Sequence, residues 1–278
     1  MGTQPVVQMG GKLVLTDPVF SPRCSSISFA GPRRYTSPGC TIDDLASSGV
    51  TFDVCVISHD HYDHLDVKSV SKLSGLGVVK TWCVPEGTKG VLTKAGVMDE
   101  DVKEMVWWEE VDLDDGLKVI CCPAQHWCCR KPWDCNSRLW ATWVVKHPPS
   151  SSSFFFGGDT GYPSTFPLFK QIGDLHGPFS VSAIPIGAYH PRWFMSPAHT
   201  DPLNAVDIHR DVRSVTSVGI HWGTFLLADE CWDEPVRELE KHTKEGWEEF
   251  YALRIGEGVC SGVKDFDWRG NFKDLLAQ

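Results

Sequence analysis

The stretch VISHDHYDHLD, Val56 to Asp66, contains three histidines and three aspartates within eleven residues. A run of apolar and β-branched residues, predicted to be a strand, leads directly into it. In an extended segment residues two apart point the same way, so His59 and His61 can face one ion, and a following turn would direct Asp63 and His64 toward a second ion. Imidazoles and carboxylates are the ligands that zinc-like divalent metals prefer. The pattern indicates a metal site, and the alternative is a polar loop with ordinary surface histidines.

Three further predicted strand ends each carry one residue that could complete such a site. His126 follows a strand in CPAQHWC, Asp159 ends the phenylalanine run of FFFGGDTGY, and His221 closes a strand in VGIHWGTF. A lone histidine or aspartate is usually an ordinary core or surface residue, so each is weak by itself. Together, in this order behind the first motif, they indicate a centre for two ions roughly 3.5–4 Å apart.

Length and charge narrow the class of protein. The chain has 278 residues, of which 42% are hydrophobic, so one domain spanning residues 1–278 is expected. Nucleic-acid binders need a basic surface, and the net charge of −10 therefore argues against a nucleic-acid partner. No stretch approaches the ~18–20 continuous apolar residues of a membrane-spanning helix, so any membrane contact would be peripheral.

Cysteine usage favours a protein that faces the cytosol and is not secreted. The eleven cysteines are an odd number, and the N-terminal MGTQPVVQMGG has no signal-peptide pattern. Five cysteines flank His126, but their spacings contain no Cys-x2-Cys zinc motif. Buried free thiols are expected for all five, which are Cys121, Cys122, Cys128, Cys129 and Cys135.

Short strands alternate with a few capped helices, a pattern that predicts a layered α/β domain. Helices are predicted from Asp201 as N-cap with Pro202 next, from Asp233 to Gly246, after Asp66 as far as Leu73, and within PEGTKGVLTKAG. The low-complexity HPPSSSS, His147 to Ser153, predicts a hairpin loop. Strands are predicted at Pro5–Gln8, Leu13–Thr16, Val54–Ile57, Leu117–Cys122, Leu139–Val145, Ser153–Phe156, Val181–Ile184, Ser217–Ile220 and Phe250–Arg254.

Seven blocks between about Thr16 and Phe225 carry a family resemblance. The chain resembles the N-acylphosphatidylethanolamine-hydrolysing phospholipase D family of the metallo-β-lactamase superfamily. This resemblance implies an α/β (α+β) fold, a four-layer αββα sandwich with a metal site at one edge of the paired sheets. The blocks are, in order, TDPVFSPR, ISHDHYDHLD, QHWCCR, FFFGGDTGY, PIGAYHPRWFM, HTDP and IHWGTF.

The resemblance also implies a role for each matching residue. One zinc would have three imidazole ligands, a second would have two imidazoles and a carboxylate, and one carboxylate would bridge both. These ligands are His59, His61 and His126, then His64, His221 and Asp63, then Asp159.

Three further matches surround the ligands. Asp17 would belong to a supporting shell, and Tyr62 and His199 would contact the substrate. The catalytic residues would be Asp63 and His199. The alternatives are that Tyr62 only packs the loop and that His199 only precedes a helix.

The implied reaction is attack of a zinc-bound hydroxide on phosphorus, which releases N-acylethanolamine and phosphatidic acid. The implied partners are N-acylphosphatidylethanolamine and a membrane surface on the cytoplasmic side of internal membranes, with a homodimer left open. Arg192 could meet phosphate or form a structural ion pair. Aromatic residues near the ligands could form an apolar wall for acyl chains or simply pack the core, and they are Trp127, Trp193, Phe194, Trp222 and Phe225.

Two departures from the family keep rival functions open. The family usually has a longer N-terminal region with a Gly-His-Ala-Thr-type element, near which this chain has Thr3 and Gln4, and usually has glutamate where this chain has His190. The same metal site could therefore act on another ester, such as a lactone or a cyclic phosphodiester. The chain could also be an inactive lipid-binding relative.

Overall fold

The core of the protein is built from two sheets, as described by a computed structural model that covers residues 5–114, 116–244, 249–261 and 268–269. The strands are β1 (Val6–Met9), β2 (Lys12–Thr16), β3 (Phe52–Val56), β4 (Val79–Pro85), β5 (Val102–Met105), β6 (Glu110–Asp112), β7 (Lys118–Cys122), β8 (Thr142–His147), β9 (Ser152–Phe156), β10 (Phe179–Pro185), β11 (Ser214–Ile220), β12 (Phe250–Tyr251), β13 (Glu257–Gly258) and β14 (Trp268–Arg269). The helices are α1 (Ile42–Ser47), α2 (Val67–Gly75), α3 (Lys89–Lys94), α4 (Leu168–His176), α5 (Arg192–Met195), α6 (Pro202–Asp211) and α7 (Glu234–Lys244).

The first sheet has the order β1-β2-β3-β4-β5, in which only the β1–β2 pair is antiparallel. The second sheet has the order β12-β11-β10-β9-β8-β7-β6. It is antiparallel from β6 to β9 and parallel from β9 to β12. A third, two-stranded sheet pairs β13 with β14.

Three hydrophobic cores divide the molecule into four layers. Leu73 of α2 and Leu92 of α3 belong to the core between the helices and the first sheet. The middle core joins the facing sides of the two sheets, and the third lies between the second sheet and α4, α6 and α7. Side chains alternate along β9, so Phe154 and Phe156 enter the middle core while Phe155 packs under the helices. The expected αββα sandwich is confirmed.

Each of the nine predicted strands overlaps an observed one, and the 147–153 segment forms the expected hairpin connection between β8 and β9. Helix α6 begins at Pro202 with Asp201 accepting a hydrogen bond from the Asn204 backbone, and α2 follows Asp66 in the same way. Helix α7 matches the helix predicted from Asp233, although its predicted end at Gly246 lies outside the described residues, as do Thr3 and Gln4.

The fold brings the predicted ligands to one edge of the sandwich. Chain segments leave β2, β3, β9 and β11 just before Asp17, His59, Asp159 and His221, respectively. The two sheets are also joined at this edge, because the Trp143 indole donates a hydrogen bond to the Ile57 carbonyl at 2.9 Å and the backbone N–H of residue 141 donates to the carbonyl of residue 58 at 2.8 Å. The start of the histidine-rich segment is therefore fixed to both sheets.

Candidate metal centre

The histidine-rich segment, residues 58–66, is called the ligand segment below. It has no regular secondary structure apart from a turn at residues 62–64, which the backbone N–H groups of His64 and Leu65 close by donating to the His61 carbonyl at 3.1 and 2.8 Å. Because an extended piece precedes the turn, the side chains before and after it point in different directions. The segment can thus serve two neighbouring clusters.

The first cluster consists of His59, His61 and His126. His61 Nδ1 lies 2.8 Å from His59 Nε2 and 3.3 Å from His126 Nε2. Tetrahedral zinc with nitrogen ligands at about 2.0–2.1 Å separates neighbouring nitrogens by about 3.3 Å. The spacing fits three imidazoles around one cation.

The second cluster consists of Asp63, His64, Asp159 and His221. His64 Nε2 lies 3.1 Å from Asp159 Oδ2, and His221 Nε2 lies 3.2 Å from Asp159 Oδ1 and 3.2 Å from Asp63 Oδ2. Asp159 Oδ2 is also 3.9 Å from His126 Nε2. Asp159 therefore lies between the two clusters, where one carboxylate could contact two cations.

Four imidazoles donate through Nδ1 to a protein acceptor and turn Nε2 toward the clusters. The donor–acceptor pairs are His59 with Ser58 Oγ at 2.9 Å, His64 with Asp17 Oδ2 at 2.6 Å, His126 with the Ala198 carbonyl at 2.9 Å and His221 with the Gly187 carbonyl at 3.4 Å. Such outer contacts fix the tautomer of a metal-binding histidine and its ring orientation. The histidines are held in the form that a metal ion requires.

The unpaired atoms of the centre also fit metal ions. Among the described residues, buried atoms without a hydrogen-bond partner include His64 Nε2 and Asp159 Oδ1, both in the second cluster. Burial and the neighbouring His64 hold the pKa of His59 well below its usual range, which keeps that imidazole neutral. Burial opposes ionisation of Asp159, but the adjacent His221 and His64 hold its pKa well below the ordinary value. The neutral His59 imidazole and the ionised Asp159 carboxylate are both ligand types that divalent metal ions prefer.

Asp17 connects the ligand segment to β2. Its carboxylate accepts hydrogen bonds from His64 Nδ1, from the Ser58 backbone at 2.7 Å and from the Ser58 hydroxyl at 2.6 Å. Its backbone has a φ of 35°, and His221 has a φ of 63°, values that cost energy in residues other than glycine. These contacts place Asp17 behind Ser58 and His64, and its supporting role stays a prediction.

Two glycines near the centre allow neighbouring backbones to approach closely, one beside Ser58 and the other beside His221. A Cβ on Gly158, whose φ is +54°, would lie 2.5 Å from Ser58 Cβ. A Cβ on Gly187 would lie 2.1 Å from the His221 carbonyl oxygen. The two glycines let the ends of β9 and β10 reach the centre.

An open cleft of about 280 Å³ leads to the centre. Tyr62 lines it with its ring held against the protein, because its hydroxyl donates to the Arg130 carbonyl at 2.9 Å and the Arg130 guanidinium lies 4.2 Å from the ring centre. His199 lines it as well, with Nδ1 unpaired and 3.8 Å from Asp159 Oδ2. Burial lowers the pKa of His199 to about 4, so its imidazole is neutral near pH 7.

Arg192 forms a structural ion pair, the second of the two predicted alternatives. Its Nε lies 3.1 Å from Asp201 Oδ2, while its terminal nitrogens donate to the His199 carbonyl at 2.9 Å and to Asn204 at 3.0 Å. The guanidinium therefore connects the His199 backbone to the start of α6.

The predicted aromatic residues differ in surroundings. Trp127 lines the cleft, and its ring centre lies 4.5 Å from that of His61. Trp222 packs against the core between the second sheet and its helices. The Phe225 ring lies under the Arg34 guanidinium. Trp193 and Phe194 are 82% and 65% exposed.

The structure corrects the expectation of free thiols at one pair. Cys129 and Cys135 form a disulfide, because the loop between them folds back, whereas Cys121, Cys122 and Cys128 are buried free thiols as expected. His190, at the position where glutamate was expected, contacts Glu234 at 3.2 Å.

Some residues that line the cleft carried no sequence signal. They are Cys24, Pro32 and Leu227, which reach the cleft from distant segments and are identified only by the fold. Ala188 and Met195 also line the cleft and belong to the family block PIGAYHPRWFM, although no role was predicted for either residue.

Comparison with known proteins agrees with this geometry. The sequence model described as "Beta-lactamase superfamily domain" matches residues 12–222. The chain is 41% identical over 85% of its length to N-acyl-phosphatidylethanolamine-hydrolyzing phospholipase D 1 of Caenorhabditis elegans, of which it covers 66%. It is 32% identical over 90% of its length to the mitochondrial N-acyl-phosphatidylethanolamine-hydrolyzing phospholipase D of Saccharomyces cerevisiae. The predicted family resemblance is confirmed.

The chain spans about half to two thirds of the length of these relatives, with 52% of the yeast protein covered. Among solved structures, a metallo hydrolase of the archaeon Ignicoccus hospitalis superimposes with a TM-score of 0.65 at 20% identity, covering 95% of this chain and 96% of that one. At this identity the likeness supports the fold alone.

Proposed function

Because the chain belongs to the β-lactamase superfamily, we propose that residues 1–278 form one hydrolase domain, a zinc-dependent phospholipase D. Its proposed reaction converts N-acylphosphatidylethanolamine to N-acylethanolamine and phosphatidic acid. The observation that carries the proposal is the position of the Asp159 carboxylate between two ligand clusters at the base of an open cleft. The similarity to two proteins named as N-acyl-phosphatidylethanolamine-hydrolyzing phospholipases D supports the substrate.

In this proposal two zinc ions occupy the centre. Bound zinc would activate water near neutral pH and take up charge from the phosphoryl oxygens. His59, His61 and His126 would hold one ion, and Asp159 would contact both. The second ion would be held by Asp63, His64 and His221.

The remaining polar groups of the cleft would bind the substrate and transfer protons. Asp63 and His199 both line the cleft, and we assign them the proton transfers. His199 is neutral near pH 7 with no hydrogen-bond partner at Nδ1, so this nitrogen can accept a proton or, when it carries the hydrogen, donate to a phosphate oxygen. Tyr62 would contact the headgroup, because the neighbouring Arg130 keeps its ring beside the ligands.

The apolar lining suits the acyl chains of a phospholipid. Trp127, Met195 and Leu227 lie beside the ligands in the cleft. Met195 ends α5, whose exposed Trp193 and Phe194 could enter a bilayer next to the cleft mouth. We therefore propose peripheral contact with the cytoplasmic side of internal membranes, and the homodimer stays a prediction.

Chelation tests the proposal. Removing metal from the full chain should abolish release of N-acylethanolamine from phospholipid vesicles, and zinc should restore it with two equivalents bound. Activity that persists without metal would contradict the metal chemistry. Turnover of a lactone or a cyclic phosphodiester without phospholipid turnover would contradict the substrate, and two bound zinc ions without any turnover would indicate an inactive relative.

A further inference from the structure

A loop that supplies no ligand holds the ligand segment in position. This loop, residues 128–138, is called the flanking loop below, and it begins two residues after His126. Its conformation is fixed from within, because the Asp134 carboxylate accepts from the backbone N–H groups of Arg130 at 2.8 Å and Lys131 at 2.7 Å. The Cys129–Cys135 disulfide closes the same turn.

Arg130 spans the ligand segment. Its Nη1 donates to the Asp60 carbonyl at 2.6 Å and to the Leu65 carbonyl at 2.8 Å. These two carbonyls flank the ligands His61, Asp63 and His64 on either side of the turn. A single guanidinium nitrogen therefore fixes the distance between the two ends of this turn.

The Asp60 side chain makes a second connection between the ligand segment and the flanking loop. This side chain is fully buried and lies 2.7 Å from Arg138 Nη1, and it accepts a hydrogen bond from the Cys129 backbone at 3.0 Å. Since Asp60 lies between His59 and His61, its carboxylate points away from the metal clusters and into the flanking loop. A buried carboxylate requires such partners, because desolvation alone disfavours its charge.

We propose that Arg130, supported by the Asp60–Arg138 ion pair, is a positioning residue that preorganises the ligand segment for metal. Arg130 belongs to neither ligand cluster, and its effect would pass through the two backbone carbonyls. The inference rests on the proposed metal centre but not on the identity of the substrate. Outer contacts of this kind typically change metal affinity by 10–100-fold.

Zinc affinity of the full chain, measured by competition with a chromophoric chelator, tests the inference. Arg130→Gln should bind zinc about 10–100-fold more weakly than the wild type. Lys131→Gln is the matched control, since it removes the same charge from the adjacent residue, whose exposed ammonium contacts only the Trp133 ring among the described side chains at 5.8 Å. Lys131→Gln should bind zinc like the wild type, and an equal loss in this control would overturn the inference.

A conservative change separates positioning from loss of fold. Arg130→Lys restores a cationic donor for the two carbonyls and should recover most of the affinity, while an affinity as low as that of Arg130→Gln would overturn the inference. Thermal unfolding of the metal-free variants shows which of them fold. If Arg130→Gln does not fold, Arg138→Gln takes its place, with an expected loss of about tenfold.

Zinc binding by the wild-type chain shows whether a failure concerns this inference or the proposed function. A wild-type chain that binds no zinc would overturn the metal centre itself. A wild-type chain that binds zinc, together with folded Arg130→Gln and Arg138→Gln variants that bind it within twofold of the wild type, would overturn only the positioning role.

Discussion

The three aspartates of the ligand segment have three different tasks. Asp60 pairs with Arg138 behind the segment, and Asp63 faces the second cluster. Asp66 caps α2 by accepting from the Lys68 backbone at 3.2 Å, and it also accepts from the Ser21 backbone at 3.0 Å. Asp63 could therefore bind metal, while Asp60 and Asp66 stabilise the backbone conformation of the ligand segment.

Asp159 gives the sharpest prediction at the scale of one residue. Asp159→Asn should lower kcat by at least about 100-fold and leave fewer than two zinc ions per chain, because it removes the charge shared by both clusters. Turnover and zinc content of the same sample measure this. Asp174→Asn makes the same change at an exposed i,i+4 pair with Lys170 and should leave both values unchanged. Near-normal turnover in Asp159→Asn would contradict the bridging assignment.

At the scale of elements, Asp53 joins three neighbouring strands of the first sheet. It lies on β3, accepts from the Leu13 backbone of β2 at 2.9 Å, and contacts Lys80 of β4 at 2.6 Å. Burial raises its pKa, but these contacts outweigh burial and lower it below the ordinary value. The folded state therefore binds the Asp53 proton less tightly than the unfolded state does.

Asp53→Asn should lower the free energy of unfolding at pH 7 by about 1–2 kcal/mol, since it weakens hydrogen bonds to a charged group. The folded-state pKa is depressed, so the stabilisation is fully present above the unfolded pKa of about 3.9 and fades as the pH falls below it. Urea unfolding at pH 7 and near pH 3 checks this. A difference between variant and wild type that grows toward pH 3 would contradict it.

Local sequence pattern predicts some elements and misses others for physical reasons. The predicted strands are apolar runs in or beside the cores. Two of the strands that were not predicted, β5 and β6, are sheet edges with charged residues, and edge strands need no continuous apolar run. The predictions also miss β4, an internal strand whose apolar run is interrupted by the exposed Lys80. The meeting of the residues in the two clusters was predictable, because the segments that carry them follow strands whose ends lie at one edge of the sandwich. The positive φ of Asp17 and the contacts of Arg130 depend on segments that meet only in the fold.

At the scale of the whole molecule, α5 connects the cleft to an exposed apolar surface, because Met195 lines the cleft while Trp193 and Phe194 of the same helix are exposed. Among the described helices, none combines the length and apolar character that crossing a bilayer requires. Trp193 and Phe194 could instead rest in the headgroup region, where aromatic rings are favoured, while the cleft beside Met195 meets the lipid.

Replacing both Trp193 and Phe194 with alanine should weaken binding to phosphatidylethanolamine-containing vesicles by about tenfold or more, because two large apolar side chains leave the bilayer. Vesicle sedimentation measures this. The control is Leu76→Ala, since Leu76 is 47% exposed beyond the end of α2 that is farther from the centre. Thermal unfolding should change little in either variant, and unchanged vesicle binding of the double variant would contradict the membrane surface.

The ligands lie far apart along the chain, so a growing polypeptide acquires the two clusters at different times. A nascent chain that has been translated as far as residue 150 already contains His59, His61 and His126, but of the second cluster it contains only Asp63 and His64. Asp159 and His221 come from the later half, on the opposite sheet. The complete centre can therefore form only after His221 has been translated, and binding of both metal ions would require a chain whose two sheets have already packed together.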